Sequence, residues 1–125
     1  MAVKTRSIVH RNLDRPDEIR TPDKTTVAVV HVGSADVGRF ELEPGWRWSE
    51  CIKPIVKTES CQLDHLGYVI SGRIHVVHDD GSEAEIGPGE AYRIAPGHDA
   101  WVVGNEPAVG LEFESAAGYE EWEKR

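Results

Sequence analysis

No apolar run in this sequence approaches the roughly 20 residues that a bilayer-spanning helix requires, so no membrane helix is expected. The N-terminus carries Lys4, Arg6 and Arg11 without an apolar stretch ahead of any cleavage site. A secretory signal is therefore not expected, and a cytoplasmic location is. Cysteine is scarce: Cys51 and Cys61 are too few for a disulfide framework, and free thiols are the expectation in a reducing compartment. Basic residues are in the minority, 14 Lys and Arg against 22 Asp and Glu, for a net charge of −8. They are scattered rather than gathered into a patch. Such a surface repels phosphate backbones, which argues against nucleic acid as a partner. Internal repeats and low-complexity linkers are lacking too.

What is present suits one folded domain. The chain has 125 residues, 39% of them apolar, with four Trp, enough to bury a core. Residues 10–24, "HRNLDRPDEIRTPDK", are rich in Arg, Asp and Pro; Pro16 and Pro22 interrupt any helix. Residues 1–24 are expected to form an arm lying on the domain or on a neighbouring subunit. From Thr25 the text reads as strands and turns. "TTVAVVHV" is β-branched and apolar, and "VGRFELE" alternates. "WRWSECIK" also alternates: Trp46, Trp48, Glu50 and Ile52 on one side, Arg47, Ser49, Cys51 and Lys53 on the other. "HLGYVISGRIHVVHDDG" reads as a long strand broken at Ser71-Gly72 and closed by an Asp80-Gly81 turn. "SEAEIGPGEAYRIAPG", "HDAWVVGN" and "AVGLEFE" supply further strands. Residues 116–125 alone look helical, with Glu120 and Glu121 ahead of Lys124 and Arg125. Many short strands with Gly and Pro turns imply an all-β sandwich or barrel, residues 25–115.

Periodicity does not choose among barrel types, but the turn residues of residues 44–105 resemble those of the cupins. That family carries two patterns, G-x5-H-x-H-x3-4-E-x6-G and G-x5-P-x-G-x2-H-x3-N. Gly45, Gly72, Gly89 and Pro96-Gly97 match the turn skeleton at the right spacing. "PGWRWSE", "HLGYVISGR" and "APGHDAWVVGNEP" look like small stand-alone bacterial cupins. The resemblance implies a cupin (double-stranded β-helix, jelly-roll) barrel with a pocket in its mouth, and a homodimer. It also implies three His and one Glu as metal ligands, and here the chain departs from the pattern. Cys51 stands at the first His position, Lys53 at the second, His65 at the Glu position, and Ala100 at the last His position, with His98 two residues before it on the same strand face.

On that alignment Cys51, His65 and His98 converge in the barrel mouth. Thiolate and imidazole suit zinc, and imidazole suits iron or nickel; manganese completes the divalent metals considered. Three ligands leave an open position, as chemistry needs. In the alternative, both His are ordinary hydrogen-bonded polar groups and Cys51 is a small buried filler. A second constellation is Cys61-x3-His65, a spacing found in structural zinc sites, which Cys51 and His98 would complete. Arg47, Ser49 and Lys53 either line a pocket for a small anionic molecule or face solvent while Trp46, Trp48 and Ile52 pack.

The remaining polar and aromatic residues read more plainly. His75 and His78 have opposite strand parity and read as surface residues, and His31 as a satisfied edge histidine. Trp101 reads as core or a dimer contact, and Tyr119 and Trp122 as pins for the terminal helix. Three functions follow, in this order: a pocket binding a divalent metal and a small molecule, with enzymatic chemistry open; a metal-free small-molecule sensor; and a structural or partner-binding protein.

Overall fold

The computed structural model describes residues 7–113 and 122. Within these, nine strands and two short helical turns follow one another: β1 (Glu18–Arg20), β2 (Thr25–Val32), β3 (Ala35–Leu42), α1 (Trp48–Cys51), α2 (Lys53–Val56), β4 (His65–Ser71), β5 (Arg73–His78), β6 (Glu83–Ile86), β7 (Ala91–Ile94), β8 (His98–Val103) and β9 (Ala108–Glu112). All pairings are antiparallel. They make a six-stranded sheet, β1-β2-β3-β9-β4-β7, and a three-stranded sheet, β6-β5-β8. The inward residues of both sheets meet in one core: Val27 and Val29, Phe40 and Leu42, Ile74 and Val76, Ala100 and Val102. Each pair is two apart on its strand, as the pleat requires when one face is buried. No helix among the described residues is long and apolar enough to cross a membrane.

The β4–β5 corner shows why glycine stands where the sequence breaks. Gly72 has φ +76°, and a Cβ there would lie 2.2 Å from the carbonyl oxygen of Pro107. Only glycine permits this backbone to approach so closely. The corner turns β4 out of the larger sheet and feeds β5 into the smaller one.

From Leu13 on, the described part of the arm lies on its own barrel. β1 adds to the edge of β2, with Glu18 opposite Val29 and Arg20 opposite Val27. Asp14 holds Arg39 of β3 at 2.9 Å, and Leu13, Pro16 and Ile19 lie over the outward Ala28. That cover explains why both faces of β2 are buried from Val27 to Val30. The expected helix over residues 116–125 falls outside the described residues, apart from Trp122. That ring is buried and lies 6.4 Å from Trp46.

One segment departs from expectation. Residues 46–53, expected as an alternating strand, instead carry α1 and run into α2. Pro54 sits in the first turn of α2, where its missing N–H costs nothing, whereas a sheet interior would reject it. Trp48, Cys51 and Ile52 follow at helical spacing, i, i+3 and i+4, and all three are buried. The helical period thus overrides the period of two that the polar residues suggest.

Candidate functional site

His65 opens β4 and His98 opens β8, each at the first position of its strand and each pointing inward. Cys61 lies in the loop before β4 and is tied to the start of β8. Its N–H donates to the carbonyl of His98 at 2.7 Å, and its own carbonyl accepts from Gly97 at 2.7 Å. These backbone bonds bring Cys61, His65 and His98 together, all buried, with one ligand atom from each within 4.8 Å of the others.

The orientation of both rings is fixed from behind. His65 Nδ1 lies 2.7 Å from Glu112 Oε1, so Nε2 is turned to the Cys61 sulfur at 3.6 Å. His98 Nδ1 donates to the carbonyl of Ala95 at 2.9 Å, which leaves its Nε2 as the ligand atom. Glu112 is 1% exposed, and its second oxygen accepts from the Tyr92 hydroxyl. A chain Tyr92–Glu112–His65 therefore runs from β7 through β9 to β4.

Electrostatics follow from this packing. Burial pushes the Cys61 thiol up, but hydrogen bonds from His65 and His98 outweigh it and bring the thiol down to about 7. Burial lowers His65, yet its bonds to Cys61 and Glu112 dominate and hold it at about 10. Burial, joined by the Glu112 carboxylate, pushes the Tyr92 phenol above its ordinary value, so it stays a hydrogen-bond donor.

The donor set fits a metal ion. Tetrahedral zinc with bonds of about 2.3 Å to sulfur and 2.0–2.1 Å to nitrogen sets the S···N separation near 3.6 Å, which is what Cys61 and His65 already show. Hydrogen-bonded outer nitrogens are the usual supports of metal-bound histidine.

The cluster lines a cavity of about 50 Å³ together with Tyr92, Glu112 and apolar side chains, Phe40, Leu42, Trp46, Ile74 and Ile94 among them. Beside it lies a cleft of about 440 Å³ bordered by Val56, Thr58, Gln62 and Leu63. Trp48, Cys61 and Trp122 line both.

The sequence-derived residues are distributed as follows. His65 and His98 meet in the cluster. Cys51 does not: α1 turns it toward Arg47, Asp23 and Lys24, and burial raises its thiol. Cys61, weighed above only in the closed zinc arrangement, takes the third place. Arg47 lies outside the barrel, its guanidinium 4.2 Å over the Trp101 ring and 3.7 Å from Asp99, and Trp101 stacks on His75 at 4.8 Å. Ser49 donates its backbone N–H to Asp99 at 3.1 Å. Lys53 faces Glu59 at 3.5 Å. None of these three lines the cavity that holds Cys61, His65 and His98. Glu112 and Tyr92 were not anticipated. The available sign was strand parity, since Ala108, Gly110 and Glu112 share the inward face of β9 and a carboxylate there must be satisfied.

Two antiparallel sheets closed over such a cavity, joined at glycine corners, define a cupin barrel. Comparison with solved structures bears this out. The chain is similar to a protein of unknown function from Rhizobium leguminosarum, with TM-score 0.60 and 21% identity over 89% of this chain and 96% of that one. It is similar to the polyketide cyclase RemF from Streptomyces resistomycificus, with TM-score 0.54 and 23% identity over 93% and 80%. It is also similar to a cupin-like protein from Thermotoga maritima, with TM-score 0.51 and 14% identity over 75% and 70%. The described residues thus have the cupin fold. No protein-family model matches the sequence, and no curated protein does.

Proposed function

We propose that this chain is a metal-binding cupin-fold protein in which Cys61, His65 and His98 hold one divalent ion in the wall of the barrel cavity. The observation that carries the reading is the cluster itself: three buried ligand atoms within 4.8 Å, two of them on rings anchored through Nδ1. One thiolate and two imidazoles favour zinc over manganese, with iron and nickel between them. Three protein ligands leave a fourth position for water or an oxygen of a bound molecule. A metal at such a position polarises that oxygen or lowers the pKa of the water. The protein's part is to fix the ligands and to shelter the ion from bulk water among largely apolar walls. That RemF, a polyketide cyclase, shares the fold is consistent with a small-molecule enzyme.

One observation favours a second reading, a metal-free binding pocket. Cys61 and His65 already satisfy each other by a hydrogen bond and need no ion to do so. Cobalt substitution separates the two. The metal reading expects a thiolate-to-cobalt charge-transfer band that persists in Cys51→Ser and vanishes in Cys61→Ser. The metal-free reading expects no band in any variant.

A further inference from the structure

Near the turn between β2 and β3, one histidine is held from two sides. His31 Nδ1 lies 2.6 Å from Asp36 Oδ1 on β3, and its Nε2 lies 2.9 Å from Glu18 Oε2 on β1. A neutral imidazole has one N–H and donates to one carboxylate only. Two carboxylate oxygens at these distances call for the doubly protonated, charged ring. The backbone adds a further tie: the His31 N–H donates to Asp17 Oδ2 at 2.8 Å, and the Asp17 N–H donates to the Val29 carbonyl at 2.9 Å. One residue thereby joins β2, β3 and the arm.

We propose that His31 is a protonation-controlled clasp that holds Asp17 and β1 on the edge of β2. The charged groups around the ring are Asp36 on β3, Glu18 on β1 and Asp17 just before it. Arg20 of β1 also pairs with Glu18, and Arg11 lies 3.9 Å from Asp17. The hydrogen bond to Asp36 raises the imidazole above its ordinary 6.5; desolvation opposes it, and the charges of Asp36, Asp17 and Glu18 add to it. A raised folded value means that the clasp is closed below the ordinary 6.5 and opens as pH rises through the higher one. The last proton stays on Nδ1, where the contact with Asp36 is the shorter. The Nε2 lone pair then faces the Glu18 carboxylate, acceptor against acceptor, so β1 is the limb that lets go. β1 is three residues long and paired on one side only, which makes one ion pair a sizeable part of its hold. Its release bares the backbone edge of β2, a template to which another strand can add. The clasp involves none of Cys61, His65 and His98 and stands apart from the metal reading.

The test follows the full chain by NMR from about pH 6 to about pH 9, the range that brackets a raised histidine. The His31 ring carbons give its titration midpoint. Amide exchange, corrected for its intrinsic pH dependence, gives the protection of the Asp17 N–H on the arm and of the Val69 N–H, which donates to Glu90 in the barrel. We expect a midpoint above 6.5. Asp17 protection should fall about two- to fivefold through that midpoint, the worth of one exposed ion pair, while Val69 protection holds. In His31→Gln the Asp17 protection should stay at the lower level throughout, and in Glu18→Gln its step should shrink while Asp36→Asn lowers the midpoint. A midpoint at or below 6.5, or Asp17 protection that does not change through it, overturns the proposal. An equal fall at Val69 overturns it too, because the whole barrel would then be loosening. So does the wild-type step persisting in His31→Gln.

Discussion

At the scale of single residues, the cluster depends on what stands behind it. Glu112 touches His65 at Nδ1 and lies on the far side of the ring from the cluster, so its work is to hold the ring with Nε2 facing Cys61. Loss of such a support typically weakens metal binding 10–100-fold. Glu112→Gln is accordingly expected to lower zinc affinity by about that factor in a chelator competition assay, with the barrel still folded. The Cys61 thiol supplies a second prediction. In metal-free protein its ultraviolet thiolate absorbance should titrate with a midpoint near 7, while Cys51 titrates above its ordinary value. Because the folded value of Cys61 lies below the ordinary 9.0, its contribution to stability is complete above that value and is lost as pH falls through about 7. His65→Ala should return the midpoint upward. A midpoint that stays put in that variant would contradict the hydrogen-bond origin of the shift.

At the scale of elements, most strands were legible. β-branched runs and Gly or Pro turns gave β2 its observed bounds, and the break at Gly72 fell between β4 and β5. The departure at α1 and α2 has a physical source. Over eight residues, "WRWSECIK" satisfies a period of two through the buried Trp46, Trp48 and Ile52, yet Trp48, Cys51 and Ile52 also satisfy the helical period, and Pro54 decides between them. That one misread element moved Cys51 out of the site and Arg47, Ser49 and Lys53 onto the outside. His65 and His98 were placed in the barrel mouth by their spacing from the cupin turn residues, and they lie side by side because each opens its strand on the inward face. Cys61 was harder, since a loop cysteine is placed by backbone bonds to His98 and Gly97 that no periodicity reveals. The corner itself is testable. Gly72→Ala forces a positive φ on a residue with a Cβ and drives that atom into the Pro107 carbonyl. A destabilisation of at least about 2 kcal/mol is expected from chemical denaturation; an unchanged midpoint would mean the corner relaxes freely.

At the scale of the whole molecule, the larger sheet turns an apolar region outward. Tyr68 and Ile70 of β4 and Phe113 beyond β9 lie on the same face of the larger sheet and are 38%, 47% and 37% exposed. We propose that a second copy of the chain covers this face, in line with the homodimer that the cupin resemblance implies. Sedimentation should then give twice the chain mass, falling to one in Ile70→Glu, and a strict monomer at all concentrations would reject it. The proposed metal cluster lies in the interior, where metal content reports on it without a ligand or substrate. Protein purified without chelator or affinity tag is analysed for metal content beside Cys61→Ala, His65→Ala and Cys51→Ala. The account predicts near-stoichiometric metal in wild type and Cys51→Ala and its loss in the other two. Absence of metal from wild type even after reconstitution with zinc, iron, nickel and manganese, or its retention in Cys61→Ala, would contradict it.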